Sequence, residues 1–329
     1  VKPGPDHCLQ STFNCHIITL KCPSYPLWEQ YALPKAAREC GVELLHCTSN
    51  TAPIWCNIPL ILTLHDIIFL EPRDKRNNSL YQNLGWLYRR LVVPRIISKC
   101  KTIITVSAFE KDNIQKKLNL PDQQVTMIYN GYNEWFRKVE DHDYVVSKYI
   151  DHPDYFFFLG NTDPKKNSER TIKAYARYLE QSQVKRPLLV ADLKRDEIDD
   201  ILERNGMAGI RDKIVISGYI RNQDLPFIYS KAFAFLYTSL RESFGIPLLE
   251  GMASGTAVIT SNTSSMPEIA GADAALVNPE DIDDMASMML KMEREPQFRA
   301  DIIEKGLKRV KMFSWRKTAE QLLDVYNSL

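Results

Sequence analysis

Residues 232–237, Ala-Phe-Ala-Phe-Leu-Tyr, form an unbroken apolar run. A strand wetted on one face alternates apolar and polar residues. An uninterrupted run of strand length is buried on both faces, which implies a parallel sheet covered by helices. The run leads into Arg241-Glu242-Ser243-Phe244-Gly245-Ile246-Pro247-Leu248-Leu249-Glu250. Pro247 suits a first helical turn, where its missing N–H costs nothing. Leu248, Leu249, Met252 and Ala253 follow at helical spacing, and Gly255 fits just past the end. The stretch therefore reads strand, loop, helix. Glu242 falls in the loop and Glu250 about one turn into the helix. Free N–H groups at a helix start favour an anion such as phosphate. A carboxylate beside them is repelled by that anion and must hold something else, such as hydroxyls.

The same pattern occurs earlier. Residues 155–159, Tyr-Phe-Phe-Phe-Leu, have strand length. Gly160-Asn161-Thr162-Asp163-Pro164-Lys165-Lys166-Asn167 follows, and then a helix with Ile172, Tyr175, Ala176 and Leu179 on one face. Gly160 lets the backbone approach a diphosphate, and Lys165 and Lys166 supply charge. Further strands are expected at 188–190, 214–216, 257–260 and 274–277. In the first half they are expected at 14–20, 42–47, 59–66, 102–106 and 125–129. Helices are expected at 28–40, interrupted by Pro34, at 80–98, kinked at Pro94, and at 107–118. Alternating strands and helices over 329 residues imply two α/β domains. The polar stretch 141–154 is the expected linker.

Glu242 and Glu250, with seven residues between them around Phe-Gly-Ile-Pro, closely resemble the E-x7-E signature of retaining glycosyltransferases of family 4. Gly160 to Asn167 resembles that family's G-x-x-x-x-[RK]-K-N element. His65-Asp66, Thr105-Val106-Ser107 and Asn130-Gly131 resemble further family elements in the same order. The resemblance covers residues 25–329. It implies the GT-B fold, two Rossmann-like domains facing a cleft, with the chain divided as 1–148, 149–312 and a terminal helix, 313–329, crossing back to the first domain. It implies a nucleotide diphosphate sugar as donor substrate, a glycan or lipid-linked glycan as acceptor, and no metal or other cofactor. Lys166 is then expected on the donor phosphates, Glu242 on the sugar, Glu250 on the ribose and His65 near the sugar. Gly160, Asn161, Lys165, Gly218, Tyr219, Phe244, Gly245, Ile246, Pro247 and Leu248 are expected to line the donor site. Residues 65–72 resemble mannosyltransferases of surface polysaccharide assembly, so mannose and a guanine nucleotide are the first expectation. A sugar-nucleotide epimerase and a non-catalytic nucleotide-sugar binder use the same scaffold and are the alternatives.

Two departures from the family stand out. Asn161 occupies a position where many members carry Arg. Gly4 is the sole early glycine, so no strand–glycine–helix unit precedes Asn14. The first domain is therefore expected to lack its leading strand and helix, which bears on acceptor binding.

A net charge of +1 argues against a dedicated nucleic-acid binder. The seven cysteines form no C-x-x-C pair and read as free thiols in a reducing compartment. No signal peptide is read at the start, and the expected location is cytoplasmic. Arg89, Arg90, Arg95, Lys99 and Lys101 stand beside Leu87, Leu91, Val92 and Ile96. They read as a solvated face or as a loose contact with an anionic membrane surface. Asp281-Ile282-Asp283 has the look of a D-x-D metal motif but sits at a helix start, where acidic residues suit the dipole.

Overall fold

The computed structural model describes residues 1, 11–71, 80–140 and 143–329. Gly4, Cys8, Pro72 and the start of the expected linker, Asp141 and His142, lie outside them. Contacts divide the chain into two compact units, Val1–Ile128 and Tyr129–Ser328. The division falls about twenty residues before the expected domain boundary at 148, because residues 129–140 pack with the second half.

The first unit holds a parallel sheet of β1 (Leu45–Cys47), β2 (Leu60–Thr63), β3 (Cys100–Thr105) and β4 (Val125–Met127), in that order. Leu62, Leu64, Ile96, Ile103 and Ile114 build its core. The strand expected at 14–20 is not formed. That stretch holds a single bridge, Thr12 to Cys15, and Ile18 stays exposed. Two further backbone bonds tie it to Val1, whose terminal amine donates to the Ile18 carbonyl at 2.7 Å and whose carbonyl accepts from the Leu20 N–H at 2.9 Å, and among the described residues these are too few to make a ladder.

Pro34 does not interrupt its helix. A π-helical turn, Trp28–Ala32, precedes it, and the Leu33 N–H reaches back to the Trp28 carbonyl. The widened turn lets Pro34 start the next segment, Leu33–Glu39, where it owes no hydrogen bond. The six described cysteines are free.

The second unit holds β5 (Phe156–Leu159), β6 (Leu188–Ala191), β7 (Ile214–Gly218), β8 (Ala234–Tyr237), β9 (Ala257–Ser261) and β10 (Ala275–Val277). The order is β10-β9-β8-β5-β6-β7, all parallel. The chain builds outward from β5 to one side, then returns and builds outward from β8 to the other. β5 and β8 are therefore neighbours at the reversal, the place where open α/β sheets receive ligands.

The pleat sorts the aromatics of β5 between the faces. Phe156 and Phe158 join the core under the helices Ser168–Gln181 and Ile282–Arg294. Phe157 turns to the other face, against Tyr229 and Phe235. The helix Ile246–Ala253 lies on that second face, with Gly251 directly over Phe235. The helices after β5 and β8 thus cover opposite faces, and the two loops meet between them.

The terminal helix, Trp315–Asn327, is anchored within the second unit. Thr318 Oγ1 donates to the Tyr129 carbonyl at 2.6 Å. A Cβ on Gly131 would stand 2.1 Å from the Trp315 backbone nitrogen. Gly131→Ala must therefore push the helix away. We expect a loss of roughly 1–3 kcal/mol in chemical denaturation. Gly209→Ala, whose Cβ meets nothing within 4 Å, should stay near the parent. Equal losses in the two variants would contradict this packing.

Candidate active site

The two loops that leave β5 and β8 are stitched together. Asn167 takes a left-handed conformation at φ 60° and buries its side chain. Its Nδ2 donates to the carbonyls of Thr238 at 3.0 Å and Pro279 at 2.7 Å. The Leu240 N–H donates to the Lys165 carbonyl at 2.7 Å, and the hydroxyls of Thr171 and Thr238 meet at 2.6 Å. Above these ties, Lys166 Nζ donates to Glu242 Oε1 at 2.6 Å. The basic turn and the acidic loop therefore form one site.

Local chemistry sets each side chain. Gly160 ends β5, and a Cβ there would stand 2.4 Å from Leu193 Cδ1. Asp163 caps the short turn Pro164–Lys166 through the Lys165 N–H and pairs with Lys165 at 3.4 Å. Lys166 is thereby turned toward Glu242, with its ammonium 5.7 Å from the centre of the Tyr237 ring. An ammonium has three donors. Glu242 takes one, so the same group can also hold an anionic oxygen.

Glu242 is clamped through its backbone. Its N–H donates to Ser264 Oγ at 3.0 Å, and its carbonyl accepts from the Ser264 and Ser265 hydroxyls. Gly245 opens the next helix at φ 99°, where a Cβ would press on Met266 at 2.7 Å.

Two buried tyrosines join the glutamates. Burial, and then the carboxylate of Glu242, raise the Tyr237 hydroxyl well above its usual value. Burial and Glu250 do the same for Tyr229. Burial pushes the Glu250 carboxyl up to about 7, while the Tyr229 hydroxyl opposes the shift. A group poised there binds hydroxyl donors better as it ionises.

The remaining expected residues of the second unit fall into four groups. Gly218 ends β7 at φ 66°, next to exposed Tyr219, on the strand two places from β5. Asn161 braces its own loop, accepting from the Asp163 N–H at 2.9 Å and donating its N–H to Ser168 Oγ. Phe244 and Leu248 are buried. Phe244 packs against Tyr129 and Phe313, so its side chain pins the loop from below. Ile246 and Pro247 form the partly exposed first turn.

His65 lies in the first unit, two residues beyond β2. Its Nε2 is 2.9 Å from the Thr48 carbonyl, which can only accept, so Nε2 carries the proton. Its N–H donates to Asn50 Oδ1 at 2.6 Å. Asp281 caps its helix through the Asp283 and Asp284 N–H groups, and Asp283 pairs with Arg177.

Residues 145–309 match the family model for glycosyl transferases group 1, and residues 11–135 that for glycosyltransferase family 4. The chain belongs to the group 1 glycosyltransferases. It is an enzyme of the GT-B fold, with two parallel-sheet α/β units. O-antigen chain mannosyltransferase B of Escherichia coli is 29% identical over 281 residues, which cover 82% of this chain and 70% of that protein. O-antigen chain mannosyltransferase RfbU of Salmonella typhimurium is 29% identical over 275 residues, covering 82% and 71%. HepE of Anabaena, solved with UDP-glucose, superposes with a TM-score of 0.74 at 16% identity, covering 96% of this chain and 86% of that one.

Asn167, Ser264, Tyr229 and Tyr237 were not singled out as site residues by sequence reasoning. Asn167 alone carried a signal, as the end of the basic turn. The glycosyltransferase's Glu250 gives a direct test. Burial favours its protonated form, so its contribution to stability is full below about pH 4.5 and is lost as pH rises through about 7. Relative to Glu250→Gln, the parent should lose up to about 3 kcal/mol of unfolding free energy across that window. Parallel chemical denaturation at several pH values reads this, and a pH-independent difference would reject it.

Proposed function

We propose that this glycosyltransferase moves a hexose, mannose in the first instance, from a nucleotide diphosphate sugar to a hydroxyl of a glycan or lipid-linked glycan. The anomeric configuration is retained, and no metal is needed. The pair Lys166–Glu242, 2.6 Å apart at the reversal of strand order, carries this reading. The printed names of the two O-antigen relatives support mannose and polysaccharide assembly.

The difficult step is departure of the diphosphate, because negative charge grows on its oxygen. Lys166 takes that charge with its remaining donors, and the first-turn N–H groups of the helix Ile246–Ala253 add to it. Gly160 keeps the backbone low enough for the phosphates to approach. Glu242 repels the diphosphate, so it faces the sugar and orients it through hydroxyl contacts. Its bond to Lys166 couples sugar orientation to leaving-group stabilisation. Glu250 accepts from the ribose hydroxyls, and the turn Gly218–Tyr219 takes the base. Glu250 is thus occupied at the far end of the donor and does not pair with Glu242 as a glycosidase-like second carboxylate. The family resemblance implies that departure and attack proceed on one face of the sugar. His65 is assigned to the reaction on its sequence motif.

Glu242→Ala should lower turnover on the order of a hundredfold or more while nucleoside diphosphate binding changes only a few-fold. Lys166→Ala should weaken both. Unimpaired turnover in Glu242→Ala would reject the assignment. His65→Asn in the same assay should lower kcat at an unchanged melting temperature. A lower melting temperature with normal kcat would restrict His65 to bracing Thr48 and Asn50.

A further inference from the structure

The helix Leu80–Ile96 of the first unit has apolar residues on each of two faces. Val92, Val93 and Ile96 face the core and are at most 3% exposed. Three leucines face the other way. Leu84 is 67% exposed, and Leu87 and Leu91 are each 48% exposed. Their spacing, i, i+3 and i+7, puts them on one stripe. Such a stripe costs solubility and calls for a partner.

Charge surrounds the stripe. Residues 80–109 contain Arg89, Arg90, Arg95, Lys99 and Lys101, and no Asp or Glu. All five are exposed. Arg90 lies over the Trp86 ring at 4.6 Å, and Arg95 donates to the Leu91 carbonyl, so both guanidinium groups are held beside the leucines. Lys99 donates to the Ile54 carbonyl, which brings Trp55 to the same end of the helix. Trp55 is 77% exposed. Exposed leucines, a neighbouring tryptophan and a one-signed basic collar are the parts of an interfacial helix.

We propose that this face docks the enzyme on an anionic bilayer surface. The leucines and Trp55 enter the boundary between headgroups and acyl chains, and the five cations meet anionic headgroups. A second copy of the chain is a poor occupant, because an isologous contact sets the same cations against each other. No helix among the described residues is long and apolar enough to cross a membrane, so the contact is peripheral. The surface does not depend on which sugar the site transfers.

Co-sedimentation of the full chain with vesicles tests this. Equimolar phosphatidylcholine and phosphatidylglycerol should bind on the order of tenfold more protein than phosphatidylcholine alone, and added salt should reverse it. Arg90→Glu with Arg95→Glu, and separately Leu87→Ser with Leu91→Ser, should each lower binding on the order of tenfold. Their melting temperatures should stay at the parent's. Equal binding to both vesicles, binding to neither, or full binding by the folded variants would overturn the proposal. So would a concentration-dependent dimer that the leucine exchanges abolish in the absence of vesicles.

Discussion

β5 and β8 are hydrogen-bonded neighbours, with Phe156 beside Ala234 and Phe158 beside Leu236. Everything at the site follows from that pairing. Two parallel strands in register deliver their loops to the same edge of the sheet. The helices that follow lie on opposite faces, so the loops cannot fold over one another. What remains is a gap between two helix starts, floored by Tyr237 and stitched by Asn167 and Thr238. Lys166 and Glu242, 76 residues apart in sequence, meet across it.

The ion pair is partly shielded, with the Lys166 side chain 25% and the Glu242 side chain 13% exposed. A pair in that position contributes little net stability, because desolvation offsets most of the attraction. Its value lies in direction. Each group fixes the other's rotamer, and Ser264 and Ser265 fix the loop that carries the carboxylate. The site is held before a substrate arrives, which is how charge stabilisation avoids a reorganisation cost. Glu250 illustrates the opposite use of burial. Burial raises its carboxyl to about 7, and the Tyr229 hydroxyl only partly opposes the shift.

Much of this was legible in the sequence because the signals were local. The apolar runs of β5, β6 and β8 fix buried strands. Gly160, Asp163 and Pro164 fix a turn, and Gly245 and Pro247 fix a helix start. Family resemblance then put Lys166 and Glu242 in one site, and the two side chains meet at 2.6 Å. Features decided by distant partners were not legible. Residues 14–20 have the composition of a strand, but among the described residues they form no ladder beyond two bonds to Val1. Pro34 reads as a break until the π-turn before it is seen. Phe244 sits in the signature loop, yet Tyr129 and Phe313 claim its ring. The boundary after Ile128 depends on Gly131 meeting Trp315, nearly two hundred residues later. The leucines of the helix Leu80–Ile96 have an ordinary helical spacing, and only packing reveals which face is wet.

The most direct measurement is a structure of the full chain with a bound nucleoside diphosphate. The account predicts phosphate oxygens about 3 Å from Lys166 Nζ and ribose hydroxyls at the same distance from the Glu250 carboxylate. A nucleotide seated away from both residues, with the Lys166–Glu242 pair untouched, would contradict it.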